Sequence, residues 1–215
     1  MNTFYPTVSS FEIPVDRFNT CITVENRDTL GAAKHHHIRL CLNFASHKRP
    51  GGGYLAVRDV RGPISTQEED LFRRSNLPEL MDTPEIRNFY PLQNLEAIYT
   101  EGIVVSKDPF LHDAHPFIID LITLPAVVDP QPHQAQLVAH KMQRILEIAL
   151  DNDHDSIILG AWGCGAFRND PYSIATHFHD LFSYQFKGAF KQVVFAIPNK
   201  DHPNFQTFEE VFSTP

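Results

Sequence analysis

The sequence predicts an α/β sandwich, a single sheet with helices packed on both of its faces, and three observations predict it. Short β-branched or apolar runs alternate along the chain with stretches of helical periodicity. Two of those runs, Pro116–Leu124 and Ser156–Leu159, are nearly continuous in apolar residues, the signature of strands covered on both faces. No repeat, low-complexity tract or linker interrupts the 215 residues, a length that suits one domain with a substantial core. The expected organisation is an arm over residues 1–18, rich in aromatic and polar side chains, followed by one domain over 19–215.

The elements follow in order. Cys21-Ile22-Thr23-Val24 is a strand candidate, and Asp28-Thr29-Leu30-Gly31-Ala32-Ala33 can open a helix. Ile38–Phe44 alternates and then breaks at Ser46-His47-Lys48-Arg49, as a strand ending in a loop does. Gly51-Gly52-Gly53 is a strong breaker, and the spacer beyond it (Arg58, Asp59, Arg61, Gly62, Pro63) has no periodicity. Thr66 followed three residues later by Glu69 is a capping-box pattern, and the helix it opens is expected to run through Leu71, Phe72, Ser75 and Leu77 to a stop at Pro78. Ala97–Ser106 reads as a strand. Val138, Met142, Ile145 and Ala149 recur at spacings of four, three and four, which predicts an amphipathic helix over 133–150. Asp170-Pro171 opens a further helix, with Asp as cap and Pro at the first helical position, and Gln192–Ile197 is the last strand.

Composition narrows the function. No apolar window approaches the ~18 residues a membrane span needs. Met1–Pro6 lacks the basic and apolar regions of a secretory signal. Three dispersed cysteines, Cys21, Cys41 and Cys164, argue for a reducing compartment, so a cytoplasmic protein is expected. A net charge of −8 disfavours broad capture of nucleic acid. An anionic ligand is compatible with that charge if backbone N–H groups and a helix N-terminus hold it.

Two loops carry the chemistry. Gly160-Ala161-Trp162-Gly163-Cys164-Gly165-Ala166-Phe167 lies between a buried strand and the helix capped by Asp170, the context a diphosphate cradle needs. No Gly-Lys-Ser/Thr follows, so it is not a P-loop. The same residues would also serve as a tight turn holding Trp162 and Phe167 in the core. The second loop is Pro50-Gly51-Gly52-Gly53, with Gln67-Glu68-Glu69-Asp70 beyond the spacer. Three consecutive glycines, each costing roughly 0.5–1 kcal/mol relative to Ala, suggest a close approach of backbone to ligand. Neighbouring acids on a helix diverge by about 100°, so Glu68 and Glu69 cannot flank one bond but can divide labour between a sugar hydroxyl and a glycosidic oxygen. Two exposed acids placed favourably at a helix N-terminus would give the same pattern.

Taken together, Asn43-Phe44-Ala45 leading to Pro50-Gly51-Gly52-Gly53, Gln67-Glu68-Glu69-Asp70-Leu71 with Arg73-Arg74-Ser75, and Gly160–Phe167 with Asn169-Asp170-Pro171 resemble the bacterial-type poly(ADP-ribose) glycohydrolases, a branch of the macrodomain superfamily. The resemblance spans roughly residues 20–208 and includes Glu25–Leu30, Val194–Ile197 and Asn204. It implies a three-layer α/β/α macrodomain with a mixed, mostly parallel central sheet, and cleavage of the ribose–ribose bond of poly(ADP-ribose) without a metal or other cofactor. It implies that Glu69 is the acid/base, and that Glu68 and Asn43 hold the ribose beside the scissile bond. Gly51, Gly52, Gly53 and Gln67 would border that ribose. Gly160, Ala161, Gly163, Cys164, Gly165, Ala166 and Phe167 would hold the diphosphate, with Phe167 ordering the terminal ribose. The implied partner is ADP-ribose or an ADP-ribosylated substrate, bound by a monomer.

This sequence departs from the family in two places: the spacer from Gly53 to Gln67 is longer, and the N-terminal region is shorter. The same fold acting on mono-ADP-ribose attached to a protein or nucleic acid, or a non-catalytic reader of ADP-ribose, is the competing expectation. A raised pKa is expected for Glu69, as for any general acid enclosed by apolar walls.

Other features point to structure. His35-His36-His37 has no metal-ligand spacing and reads as a solvated turn. His177 and His179 face different ways on their helix, and His112 and His115 read as loop residues without a carboxylate partner. Cys164 has no cation beside it and reads as a packing residue. The C-terminal phenylalanines read as core, with Phe205 or Phe208 a candidate for stacking on adenine.

Overall fold

The computed structural model describes residues 1–6, 13–55 and 66–213. The charged spacer Arg58–Pro63 falls outside them. Among the described residues seven strands form one sheet: β1 (Asn2–Tyr5), β2 (Cys21–Glu25), β3 (Leu40–Asn43), β4 (Ala97–Lys107), β5 (Asp113–Thr123), β6 (Ser156–Leu159) and β7 (Gln192–Ala196). Their order is β1-β4-β5-β3-β6-β7-β2. The pairs β5–β3, β3–β6, β6–β7 and β7–β2 are parallel, whereas β1–β4 and β4–β5 are antiparallel. The sheet is therefore mixed and mostly parallel. Strand β1 comes from the segment read as an arm, of which Asn2–Tyr5 extends the sheet beside β4.

Side chains alternate across each strand, so the sheet has two apolar faces. Leu40, Leu42, Ile157, Leu159, Val193 and Phe195 face one way, against helices α5 (Ala135–Asp151), α6 (Pro171–Ser183) and α7 (Pro203–Ser213). Cys41, Ile158 and Val194 face the other way, against α1 (Thr29–His36), α2 (Gln67–Arg74), α3 (Leu77–Met81) and α4 (Pro84–Arg87). This is the three-layer α/β/α arrangement. Among the described residues no helix is long and apolar enough to cross a membrane.

Several local expectations are corrected. Helix α2 ends at Arg74, not at Pro78. Ser75 turns extended and bridges Val105, and Asn76 exchanges hydrogen bonds with Val104 (3.1 and 2.9 Å), so pairing with β4 ends the helix. Pro78 lies instead in the first turn of α3, where its missing N–H costs nothing. Strand β5 is fully covered only from Ile119 onward, because the β4–β5 hairpin extends past the helices and leaves Ile118 exposed. His35 and His36 complete the last turn of α1 rather than a solvated turn; His36 Nε2 lies 2.7 Å from a Glu25 carboxylate oxygen and Nδ1 3.0 Å from the Gln192 amide. His115 is a strand residue, and His112 lies against Asp108 through its backbone N–H at 2.9 Å and its ring at 3.4 Å. Phe205 and Phe208 belong to α7 and are buried in the core, which removes both from contact with an adenine.

Candidate active site

The site forms where the parallel strands end. Asn43 closes β3 at the middle of the sheet, fully buried, and its amide donates to Glu68 Oε1 (3.2 Å) and Thr123 Oγ1 (3.3 Å). The loop after β3 and the first turn of α2 then face the loop after β6. They enclose a cavity of about 260 Å3 bordered by Phe44, Gly52, Gln67, Glu68, Glu69 and the 161–167 loop.

The two glutamates occupy different environments. Glu68 is almost fully buried, and besides Asn43 it accepts from the backbone N–H groups of Ser46 (2.7 Å) and Gly51 (3.2 Å). Burial outweighs these donors and pushes the Glu68 carboxyl up to about 7. The carboxyl walled off from water is therefore Glu68. Glu69 accepts from Gly53 N–H through Oε1 (3.1 Å) and from Thr66 N–H through Oε2 (3.3 Å). Thr66 Oγ1 in turn accepts from the Glu69 N–H (3.4 Å), completing the capping box read from the sequence. Arg73, one turn along α2, places a guanidinium nitrogen 3.7 Å from Glu69 Oε2.

The glycine triplet serves these carboxylates. Gly51 and Gly52 adopt φ of +70° and +55°, bringing the Gly51 and Gly53 N–H groups onto Glu68 and Glu69. The sequence suggested a close approach to ligand; the close approach found here is to the protein's own acids. Gln67 is a clasp. Its side-chain oxygen accepts from Phe44 N–H (2.9 Å), and its amide donates to Leu42 carbonyl oxygen (2.7 Å) and Thr29 Oγ1 (3.1 Å). It borders the cavity, but these bonds tie α2 to the end of β3 and to α1.

Across the cavity, the loop 160–167 is anchored from behind. Trp162 is fully buried and donates from Nε1 to the Leu124 carbonyl (3.0 Å). Asn169, to which the sequence reading gave no role, donates to the carbonyls of Val127 (2.8 Å), Gly163 (3.1 Å) and Phe167 (3.3 Å) and so sets the loop's shape. Its signal was its place directly before the Asp170-Pro171 helix start. The backbone N–H groups of Ala161, Gly163, Gly165, Ala166 and Phe167, all on the cavity wall, have no acceptor among the described residues. Gly160 lies behind that wall, under Phe44 and the Ala196 carbonyl. Cys164 rests on the Trp162 carbonyl oxygen (3.5 Å), and burial pushes its thiol up to about 12, which keeps it protonated at neutral pH. His47, also missed in the sequence, stands edge-on to Phe167 at 6.1 Å, its pKa lowered by burial and by nearby Lys48 and Lys141.

Residues 1–109 match the family model described as microbial-type PARG, catalytic domain, which is half of the chain. The chain belongs to the microbial-type PARG family. The poly(ADP-ribose) glycohydrolase (PARG) of Deinococcus radiodurans, solved in complex with ADP-ribose, superposes with a TM-score of 0.80 at 29% identity, over 93% of this chain and 87% of that one. The PARG of Thermomonospora curvata bound to the inhibitor ADP-HPD gives a TM-score of 0.78 at 30% identity, over 89% of this chain and 79% of that one. Another T. curvata PARG structure gives 0.80 at 28% identity, over 98% and 85% of the two chains. No curated protein matches the chain. The microbial-type PARG fold thus covers nearly all of this chain, including the β6–α6 loop that lies beyond the part matched by the family model.

Proposed function

We propose that this protein hydrolyses the ribose–ribose bond of poly(ADP-ribose), with the 160–167 loop holding the diphosphate of the terminal unit and Glu69 acting as acid and then base. The observation that carries the proposal is the row of five N–H groups, without an acceptor among the described residues, that faces the two glutamates across one cavity. Exposed peptide N–H groups converging on a small cavity attract an anion by their dipoles and need no cationic side chain. That resolves the conflict between a net charge of −8 and an anionic ligand. The related PARGs were solved with ADP-ribose and with the inhibitor ADP-HPD bound, which supports the same reading.

With the diphosphate on that wall, the distal ribose reaches the first turn of α2. Glu68, held by Asn43, Ser46 and Gly51, is too enclosed to meet a leaving group and is placed to accept from a ribose hydroxyl. Glu69 is on the rim, held by two backbone N–H groups and paired with Arg73. Its carboxyl donates a proton to the glycosidic oxygen as the C–O bond breaks. The oxocarbenium-like ribose then takes a water, whose proton returns to Glu69. Phe167, steadied by His47, packs beside the ribose and keeps bulk water off it. The Gln67-Glu68-Glu69 turn favours this enzyme reading over a reader of ADP-ribose, which has no use for an acid at the rim.

Glu69→Gln and Glu69→Ala, assayed for ADP-ribose release from polymer, are expected to lose about 10²–10⁴-fold in turnover while ADP-ribose still binds with near-native affinity in calorimetry. Near-native turnover by Glu69→Gln would contradict the assignment.

A further inference from the structure

The glycine turn has a second side. Gly52 belongs both to the wall of the cavity holding the glutamates and to the wall of a neighbouring cleft of about 490 Å3, bordered by Lys48, Arg49, Tyr54, Asp82, Arg87 and Tyr90. That volume is in the range of nucleotide-sized pockets. The two spaces differ in chemistry. The first offers backbone dipoles and apolar walls. The second gathers three cationic side chains around one carboxylate, in a chain whose formal net charge is −8.

The carboxylate is already engaged. Asp82 accepts from Arg87 Nε (2.7 Å) and from the Tyr54 hydroxyl (2.9 Å), and Arg87 holds it below the usual carboxylate range. The side chains of Lys48 and Arg49 are exposed and have no hydrogen bond or close ion pair among the described residues, and Arg49 adds its field to that of Arg87 on Asp82. Tyr54 is fixed, its ring packed on Phe72 at 5.0 Å and its hydroxyl on Asp82, and Tyr90 forms part of the same wall. Two exposed cations beside two aromatic rings make a surface for a phosphate-bearing nucleoside.

The cleft also adjoins Glu69. Gly53, whose N–H holds Glu69 Oε1 at 3.1 Å, borders this cleft. We infer that the second cleft is the leaving-unit subsite, taking the next ADP-ribose of the chain with its pyrophosphate on Lys48 and Arg49 and its adenosine against Tyr54 and Tyr90. This rests on the reading of the first cavity as the site of the terminal ADP-ribose. It also makes the protein selective for a leaving group that carries phosphate.

The test compares two substrates with the same scissile bond: a dimer of ADP-ribose, and ADP-ribose joined through its distal ribose to plain adenosine, which lacks the second pyrophosphate. The wild-type protein is expected to prefer the dimer about tenfold or more in kcat/KM, a preference that shrinks with salt. The double variant K48A/R49A, altered only at exposed positions, is expected to lose that preference while keeping its rate on the adenosine substrate and its affinity for ADP-ribose. No preference in the wild type, or an equal loss on both substrates in the variant, overturns the subsite. If Lys48 and Arg49 instead accelerated cleavage of a mono-ADP-ribosylated acidic peptide and left the dimer unaffected, the cleft would belong to protein acceptors and the inference would be wrong. Release from neither substrate by the wild type, with ADP-ribose still bound, would overturn the catalytic reading of Glu69 and the subsite together, an outcome distinct from release without preference.

Discussion

Two glycine-rich turns meet at the cavity, and they use their glycines differently. At 51–53 the space a side chain would need is filled by the protein: a Cβ on Gly51 would stand 2.5 Å from the Tyr54 ring and 2.6 Å from Phe72, and one on Gly53 would stand 2.7 Å from Glu69 Oε1. At 160–165 two glycines are equally constrained, Gly160 by the Ala196 carbonyl oxygen and Gly163 by the Asn169 amide, both at 2.7 Å. Gly165 is the exception, for nothing lies within 4 Å of its would-be Cβ. A glycine run thus looks the same in a sequence whether it makes room for the protein's own groups or for a ligand. The first turn shapes an acid; the second shapes a wall of N–H groups without acceptors among the described residues and leaves one position open.

That contrast can be broken at Gly163, where the largest effect is expected. Its φ is +77° and a methyl would collide with Asn169 and Ala126, so Gly163→Ala should destabilise the fold by about 2–4 kcal/mol, read as a lower midpoint in denaturant. An unchanged midpoint would mean that the loop is not held as described.

Glu68 gives the next effect, on pH. Its folded pKa of about 7 lies above the unfolded 4.5, so between these values the folded chain binds more protons than the unfolded one. Stability therefore falls as pH rises through that window, by about 1–3 kcal/mol in total, and Glu68→Gln should flatten the slope. Denaturation at pH 5 and pH 8 measures it, and an equal slope in both proteins would contradict the burial argument.

Gly53→Ala sharpens the contrast by pushing on Glu69 alone. It should lower kcat about tenfold to a hundredfold and leave ADP-ribose affinity and the melting temperature nearly unchanged. A loss confined to affinity would put Gly53 in the ligand's path instead. The smallest effect on the fold belongs to Gly165→Ala, expected to shift stability by under ~0.5 kcal/mol yet to weaken ADP-ribose binding about tenfold. Unchanged binding would mean that the ligand does not approach this glycine.

Much of this was legible in the sequence, for physical reasons that differ from element to element. Strands β6 and β7 and helix α5 have patterns dictated by burial, and residues far away cannot change them. The Thr66–Glu69 capping box is local and was read correctly, down to the reciprocal bonds. The end of α2 was not legible, because Ser75 leaves the helix to pair with Val105, thirty residues further on. Strand β1 escaped for the same reason: Asn2–Tyr5 has little pattern of its own and is defined by its partner β4. The site residues were found as motifs, but which glutamate is enclosed depends on Asn43 at the end of β3 and on the loop beyond it, whose Ser46 and Gly51 N–H groups meet Glu68. Helix α7 was not legible: Phe205 and Phe208, which the sequence offered for stacking on adenine, are buried in the core with the β7 residues Val193 and Phe195.

The most direct measurement is a crystal structure with ADP-ribose bound. The account predicts the diphosphate within hydrogen-bonding distance of the N–H groups of Gly163, Gly165 and Ala166, with the anomeric carbon next to the Glu69 carboxylate and a ribose hydroxyl on Glu68. A diphosphate seated elsewhere, or Glu69 turned to solvent while Glu68 meets the anomeric carbon, would contradict it.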